Sequence, residues 1–152
     1  FQNLIDVKQI NLPDSLVNVG EYAFLDCRSI ENLVFPDCVM IFGAGYLLGC
    51  NSLKTLEVPF LGTSSTTGAL IELFDNNSAP SSLYKVTLNQ SSCSIGDYAF
   101  SGTGITSVVI PKSATLIRSN AFDKHVEYLV YKDSPIAKIA AAEGIHPYKF
   151  ID

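Results

Sequence analysis

The chain has 152 residues, 47% of them apolar and 16% charged, with ten basic against fifteen acidic side chains and a net charge of -5. That length suits one domain, 1–152, able to bury a core. The acidic balance, without a Lys/Arg run or basic stripe, excludes nucleic acid as the expected partner, because phosphate neutralisation supplies most of such binding.

The N-terminus, Phe1-Gln2-Asn3-Leu4, carries no signal peptide, lipidation motif or transit segment, and the expected state is a cut fragment or a mature form. The first regular element is the apolar triplet Val7/Ile10/Leu12. It returns as Ile30/Leu33/Phe35, Leu53/Leu56/Val58, Leu83/Val86/Leu88, Ile105/Val108/Ile110 and Val126/Leu129/Tyr131, with intervals of 23, 23, 30, 22 and 21 between the last members. The clearest copy, Ile30-Glu31-Asn32-Leu33-Val34-Phe35-Pro36, reads L-x-x-L-x-L-P. It fits a short strand with one buried face, ended by a proline that cannot continue it. A period in the low twenties with this spacing is the signature of leucine-rich repeats, in which each unit buries its apolar side only by stacking on its neighbours.

Between the strands a second phrase recurs: Val19-Gly20-Glu21-Tyr22-Ala23-Phe24, Ile95-Gly96-Asp97-Tyr98-Ala99-Phe100 and Ile117-Arg118-Ser119-Asn120-Ala121-Phe122. Ile-Gly-x-x-Ala-Phe, with Cys27 three residues after Phe24 and then L-x-x-L-x-L-P, resembles the BspA-like class of leucine-rich repeats over essentially the whole chain. Phe1 lies one 23-residue period before Phe24, so the chain is expected to begin in mid-repeat. The second turn departs from the pattern with Tyr46-Leu47, and Thr103 and His125 stand where the later turns would carry the cysteine.

Mean hydropathy is positive. Even so, the most apolar stretch, Cys38 to Cys50, is interrupted by glycines and falls short of the roughly 18 apolar residues of a spanning helix, so no membrane insertion is expected. Gly43-Ala44-Gly45 is no nucleotide loop, since Leu48 stands where a third glycine would be needed. Cys27 and Cys50 are one 23-residue period apart and should stack in adjacent turns. A spacing of about 4.8 Å between strands permits a disulfide without requiring one, and two buried thiols are the expectation. No C-x-x-C occurs and the histidines are not grouped with cysteines, so no metal and no cofactor is expected.

The segment 60–82 lengthens its turn to 30 residues. Gly62 to Gly68 is a polar loop, Ala69 to Phe74 is expected to form a helical turn with Leu70 and Phe74 in the core, and Asp75 to Pro80 breaks it. After about six turns over 1–133, residues 134–152 change character. Ser134 can cap a helix and Pro135 suits its first position; Ile136, Ile139 and Ala140 make an apolar stripe that Gly144 ends, before a last strand near Tyr148-Lys149-Phe150-Ile151. This resembles the closing helix of BspA-like arrays.

Chemistry is hard to find. His125 and His146 have no partner fixed by spacing, and Asp14, Asp26, Asp37, Asp97 and Asp123 sit where side chains bond local turns. No G-x-S-x-G, phosphate-cradling glycine loop or H-E-x-x-H is present. Asn76-Asn77-Ser78 and Asn89-Gln90-Ser91 fit glycosylation sequons, which matter only in a eukaryotic secretory host.

The expected fold is therefore a strand-rich α/β solenoid: a right-handed leucine-rich-repeat arc with a parallel sheet on its concave side and a C-terminal helical cap. The resemblance implies a secreted or cell-surface protein of bacterial type, without enzymatic activity, that binds a protein or glycan on a host or neighbouring cell. The alternative is a spacer in a larger surface protein, and an enzyme is the last choice. Strand alternation places two columns outside the core: Gln9, Asn32, Thr55, Lys85, Ser107, Tyr128, and Asn11, Val34, Glu57, Thr87, Val109, Val130. The candidate binding residues are Lys85, Thr87, Ser107, Val109, Tyr128 and Val130, with the Gly62–Pro80 loop as the competing site.

Overall fold

A computed structural model describes residues 1–62, 68–89, 94–118, 120–143 and 148–152. The Thr63–Thr67 part of the polar loop, the sequon positions Gln90 and Ser91, Ser119 of the third Ala-Phe phrase, the helix stop Gly144 and His146 lie outside the described residues. In chain order the elements are β1 (Asn18–Val19), β2 (Asn32–Val34), β3 (Ile41–Phe42), β4 (Thr55–Val58), a 3-10 helix (Leu70–Phe74), β5 (Lys85–Leu88), β6 (Ser94–Ile95), β7 (Ser107–Val109), β8 (Leu116–Ile117), β9 (Glu127–Tyr131), α1 (Pro135–Glu143) and β10 (Tyr148–Ile151).

Six of the strands form one all-parallel sheet in the order β2-β4-β5-β7-β9-β10. With β1, β3, β6 and β8 between them, they make a parallel β-solenoid of about five turns. The register follows the repeat: Leu33 pairs with Leu56, Leu56 with Val86 and Val86 with Val108. These four side chains lie on one face and are at most 2% exposed. Period-2 alternation puts every second side chain against the interior, where each large apolar group contributes about 1.5–3 kcal/mol. Proline follows the segment at Pro36, Pro59 and Pro111 and ends the ladder there.

A second set of contacts stacks the turns behind the sheet. β1 pairs with β3 and β6 with β8, all parallel, so the Val19, Ile95 and Ile117 phrases are short strands with those residues inward. Phe24 N–H donates to Tyr46 C=O at 2.9 Å and Phe100 N–H to Ala121 C=O at 2.8 Å. The Phe24, Phe35, Phe42, Tyr46 and Phe60 rings interlock at centroid distances of 4.4–5.7 Å. Backbones approach closely here. A Cβ on Gly43 would lie 2.2 Å from Glu21 N, which is why a glycine stands in the Gly43-Ala44-Gly45 bend.

The described part of the lengthened turn packs into the array. Its 3-10 helix buries Leu70, Leu73 and Phe74. Gly45 N–H donates to Glu72 C=O at 3.3 Å, Leu47 N–H to Leu73 C=O at 2.8 Å, and Leu70 N–H to Ala99 C=O at 2.8 Å, so the helix bridges the turns on either side. The Tyr22 hydroxyl donates to Asp75 Oδ2 at 3.3 Å, and the Asp75 charge raises the pKa of that hydroxyl.

Cys27 and Cys50 are stacked, buried and unbridged. Each thiol donates to the carbonyl of a phenylalanine one turn up, Cys27 to Phe1 at 2.9 Å and Cys50 to Phe24 at 3.2 Å. Burial, with the neighbouring Cys27, pushes the Cys50 thiol up to about 12. Asp123 bonds between turns, accepting from Ser101 Oγ at 3.0 Å and Gly102 N–H at 2.7 Å, where the sequence suggested a local turn role.

Two expectations change. The first triplet forms no strand: Val7, Ile10 and Leu12 are half-buried in an outermost layer with a neighbour on one side only. The last turn is shifted by one residue. Ser107 pairs with Glu127, Val108 with Tyr128 and Val109 with Leu129, so the inward set is Val126/Tyr128/Val130, not Val126/Leu129/Tyr131. The aromatic ring decides this. Tyr128 stacks on Phe122 at 4.9 Å, continuing the Phe100–Phe122 stack at 5.1 Å. The C-terminal helix starts at Pro135 as the sequence predicts and is the one α-helix among the described residues, nine residues long, between β9 and β10. Ser134 Oγ accepts from Ala137 N–H at 3.2 Å, and Ile136 and Ala137 are buried.

Candidate functional site

Outward side chains of the six-stranded sheet form an open face whose columns are set by the register. One runs Asn32, Thr55, Lys85, Ser107, Glu127. The other runs Val34, Glu57, Thr87, Val109, Leu129, Lys149. Of the sequence-derived candidates, Lys85, Thr87 and Ser107 lie on this face, half-buried, and Val109 lies on it at 8% exposure. Tyr128 and Val130 do not. They are 1% and 0% exposed and belong to the core, because the last strand pairs one residue out of the expected phase.

The residues that take their place are Glu127, Leu129 and Tyr131, which the sequence columns missed. The sequence carries no local signal for this: in Val126-Glu127-Tyr128-Leu129-Val130-Tyr131 only Glu127 is polar, so either phase of alternation fits the residues.

The β2 end of the face sets an exposed Val34 among polar side chains that bond to one another. Thr55 Oγ1 donates to Asn32 Oδ1 at 2.7 Å, and Asn89 Nδ2 donates to Glu57 Oε1 at 3.3 Å. Lys54 Nζ lies 2.7 Å from Glu31 Oε2, and that hydrogen bond and charge hold the Glu31 carboxyl below its usual range. The other end is mixed. Val109, Leu129 and Tyr131 are flanked by Lys149, paired with Glu127 at 2.8 Å, and by Lys112, whose Nζ sits 4.9 Å from the Tyr131 ring centroid.

At the outer edge, a cleft of about 710 Å³ lies between the first turn and β2, lined by Lys8 to Leu12, Asp14, Glu31, Asn32, Val34 and Pro36. Among the described residues no three His, Cys, Asp or Glu side chains gather to hold a metal ion. The insertion's described residues Leu70, Leu73 and Phe74 are committed to the core. What the open face offers is shape, hydrogen bonding and apolar contact, the means of recognition.

Compared with known proteins, residues 1–128 match the model of the BspA type leucine rich repeat region in six copies. No curated protein and no solved structure matches the chain. No helix among the described residues is long and apolar enough to cross a membrane.

Proposed function

The chain belongs to the BspA-type leucine-rich repeat family, and from that premise we propose that it is a recognition module binding a protein or glycan of a host or neighbouring cell through the open face of its sheet. Leucine-rich repeat solenoids are typically non-enzymatic binding scaffolds, and this family, often surface-associated, is one of repeat-based interaction or surface modules. The observation that carries the reading is the group Val109, Leu129 and Tyr131, where apolar and amphipathic side chains stand together on a face that also carries an exposed Val34 at its far end. Such a mixture, with tyrosine beside aliphatic groups and charges at the rim, suits the centre of an interface. Adhesion at a cell surface is the role that fits it. Residues 1–152 act as one domain in this proposal, and α1 closes the array by covering the last core layer.

The test is a direct binding screen of the purified chain against immobilised matrix proteins and a glycan array. Saturable binding to one of them is expected, and its reduction by Leu129→Asp with Tyr131→Ala ties it to the face. A spacer predicts no saturable binding, and that result would overturn the proposal.

A further inference from the structure

We propose that the edge of β2 facing the first turn takes an extended peptide as an added parallel strand, acidic at its N-terminal end and basic at its C-terminal end. In a parallel ladder, alternate residues bond to opposite neighbours. Glu31 C=O accepts from Lys54 N–H at 2.7 Å and from Thr55 N–H at 3.2 Å, and Phe35 N–H donates to Glu57 C=O at 2.9 Å, so Glu31, Leu33 and Phe35 serve β4. By alternation the backbone groups of Asn32 and Val34 point the other way, toward the first turn.

The first turn does not meet them. Between residues 7–12 and 31–36 one backbone hydrogen bond exists, Glu31 N–H to Lys8 C=O at 3.4 Å. The same position in the later turns gives 2.7, 3.1, 3.1 and 2.9 Å. Beyond that long bond no backbone hydrogen bond joins residues 9–12 to β2, and the 710 Å³ cleft lies between them until the turns meet again where Cys38 Sγ donates to Asp14 C=O at 2.8 Å. Val34 is 56% exposed there. A strand edge with unpaired N–H and C=O groups is a template for another strand, and every interior pairing in this sheet is already parallel.

Charge fixes the direction and the chemistry. Lys8 stands where β2 begins, and Asp14 lines the far end near Pro36. Among the described residues neither makes an ion pair, although the Lys8 charge helps Lys54, which engages Glu31 at 2.7 Å, to lower the Glu31 pKa. A parallel strand of about five residues, roughly 17 Å long, seated between the Glu31–Lys8 and Cys38–Asp14 contacts would run from the Lys8 end of the cleft to the Asp14 end. This inference rests on the reading of the chain as a recognition module, but it uses the β2 edge, where the open face begins at Asn32 and Val34, and not the Val109, Leu129 and Tyr131 group.

The probe is the labelled heptapeptide acetyl-Glu-Thr-Val-Thr-Val-Thr-Lys-amide. Its controls are the same peptide with the end charges exchanged and one N-methylated at alternate amides. In the free protein the Asn32 and Val34 amides should exchange with solvent at least tenfold faster than those of Leu33 and Phe35. The peptide should bind below about 1 mM and slow the Val34 amide at least tenfold. Exchanging its end charges should weaken binding at least threefold, and N-methylation should abolish it. A Val34 amide already as protected as Leu33, equal binding of the N-methylated peptide, no preference between the charge isomers, or no binding at 1 mM would each overturn the proposal. The Leu129→Asp/Tyr131→Ala protein should bind the peptide unchanged. Peptide binding lost in that variant would place the peptide on the open face and also refute the edge site. A failed matrix screen alongside intact peptide binding would refute only the proposal for the open face.

Discussion

Replacing Tyr128 and Leu129 separately by alanine tests the register of the last turn, because these neighbours exchange roles if the strand slips by one residue. Tyr128 is 1% exposed and stacks on Phe122 with centroids 4.9 Å apart, so Tyr128→Ala leaves a ring-sized hole between the last two turns. A buried aromatic cut to alanine costs about 3–5 kcal/mol, from lost transfer energy and the cavity together. Leu129 is half-buried on the open face, and Leu129→Ala should cost about 1 kcal/mol or less. At about 2–4 °C per kcal/mol for a chain of this size, the first substitution lowers the melting temperature by roughly 6–20 °C and the second by a few degrees. Thermal and urea unfolding followed by far-UV circular dichroism gives both numbers. If Leu129→Ala proves as costly as Tyr128→Ala, the register is wrong and the corrected face falls with it.

Truncation after Asp133 removes α1 and β10 and should expose Val126, Tyr128 and Val130, at roughly 1.5–3 kcal/mol for each side chain left in water; an unchanged melting curve would count against α1 as a closure. A thiol reagent should label exposed Cys38 in the native protein while sparing Cys27 and Cys50 until unfolding, and rapid labelling of either buried thiol would contradict the stacking. Cys50 carries a folded pKa of about 12 against an ordinary value near 9, so the unfolded chain loses its proton first. The stability this thiol contributes is thus complete below about pH 8.5 and is lost as pH rises toward 12, with a slope of up to about 1.4 kcal/mol per unit. Cys50→Ala should flatten that alkaline decline, and an unaltered pH profile would refute the assignment. Gly43→Ala should destabilise by about 1–3 kcal/mol because its Cβ would meet the Glu21 backbone at 2.2 Å, whereas Gly20→Ala, with open space around it, should be near neutral.

What the sequence made legible follows from where the physics is local. The triplets at Ile30, Leu53, Leu83 and Ile105 announce buried strand faces because alternation and burial are written into adjacent residues, and the 23-residue offset of Cys27 and Cys50 survives as a stacked pair. The last turn was misread because Val126, Leu129 and Tyr131 also satisfy L-x-x-L-x-L. Only the ring of Phe122, packed from the preceding turn, selects Tyr128 as the inward residue. That choice is tertiary, and it moved two of six candidate site residues into the core. Leu70 and Phe74 were legible as core, yet the hydrogen bonds that let their helix bridge two turns depend on Gly45, Leu47 and Ala99, remote in sequence. The cleft beside β2 had no sequence signal, since it arises where Val7 to Leu12 carry a proper triplet and still do not pair.

The claim that partners dock on the open face is tested most directly by measuring the dissociation constant of the tightest partner from the matrix and glycan screen. It would be compared among the unaltered chain, Leu129→Asp with Tyr131→Ala, and Tyr98→Ala, whose ring is exposed outside the six-stranded sheet. A loss of at least tenfold in the face variant with no change in Tyr98→Ala is the predicted result, and equal affinity for all three proteins would contradict it.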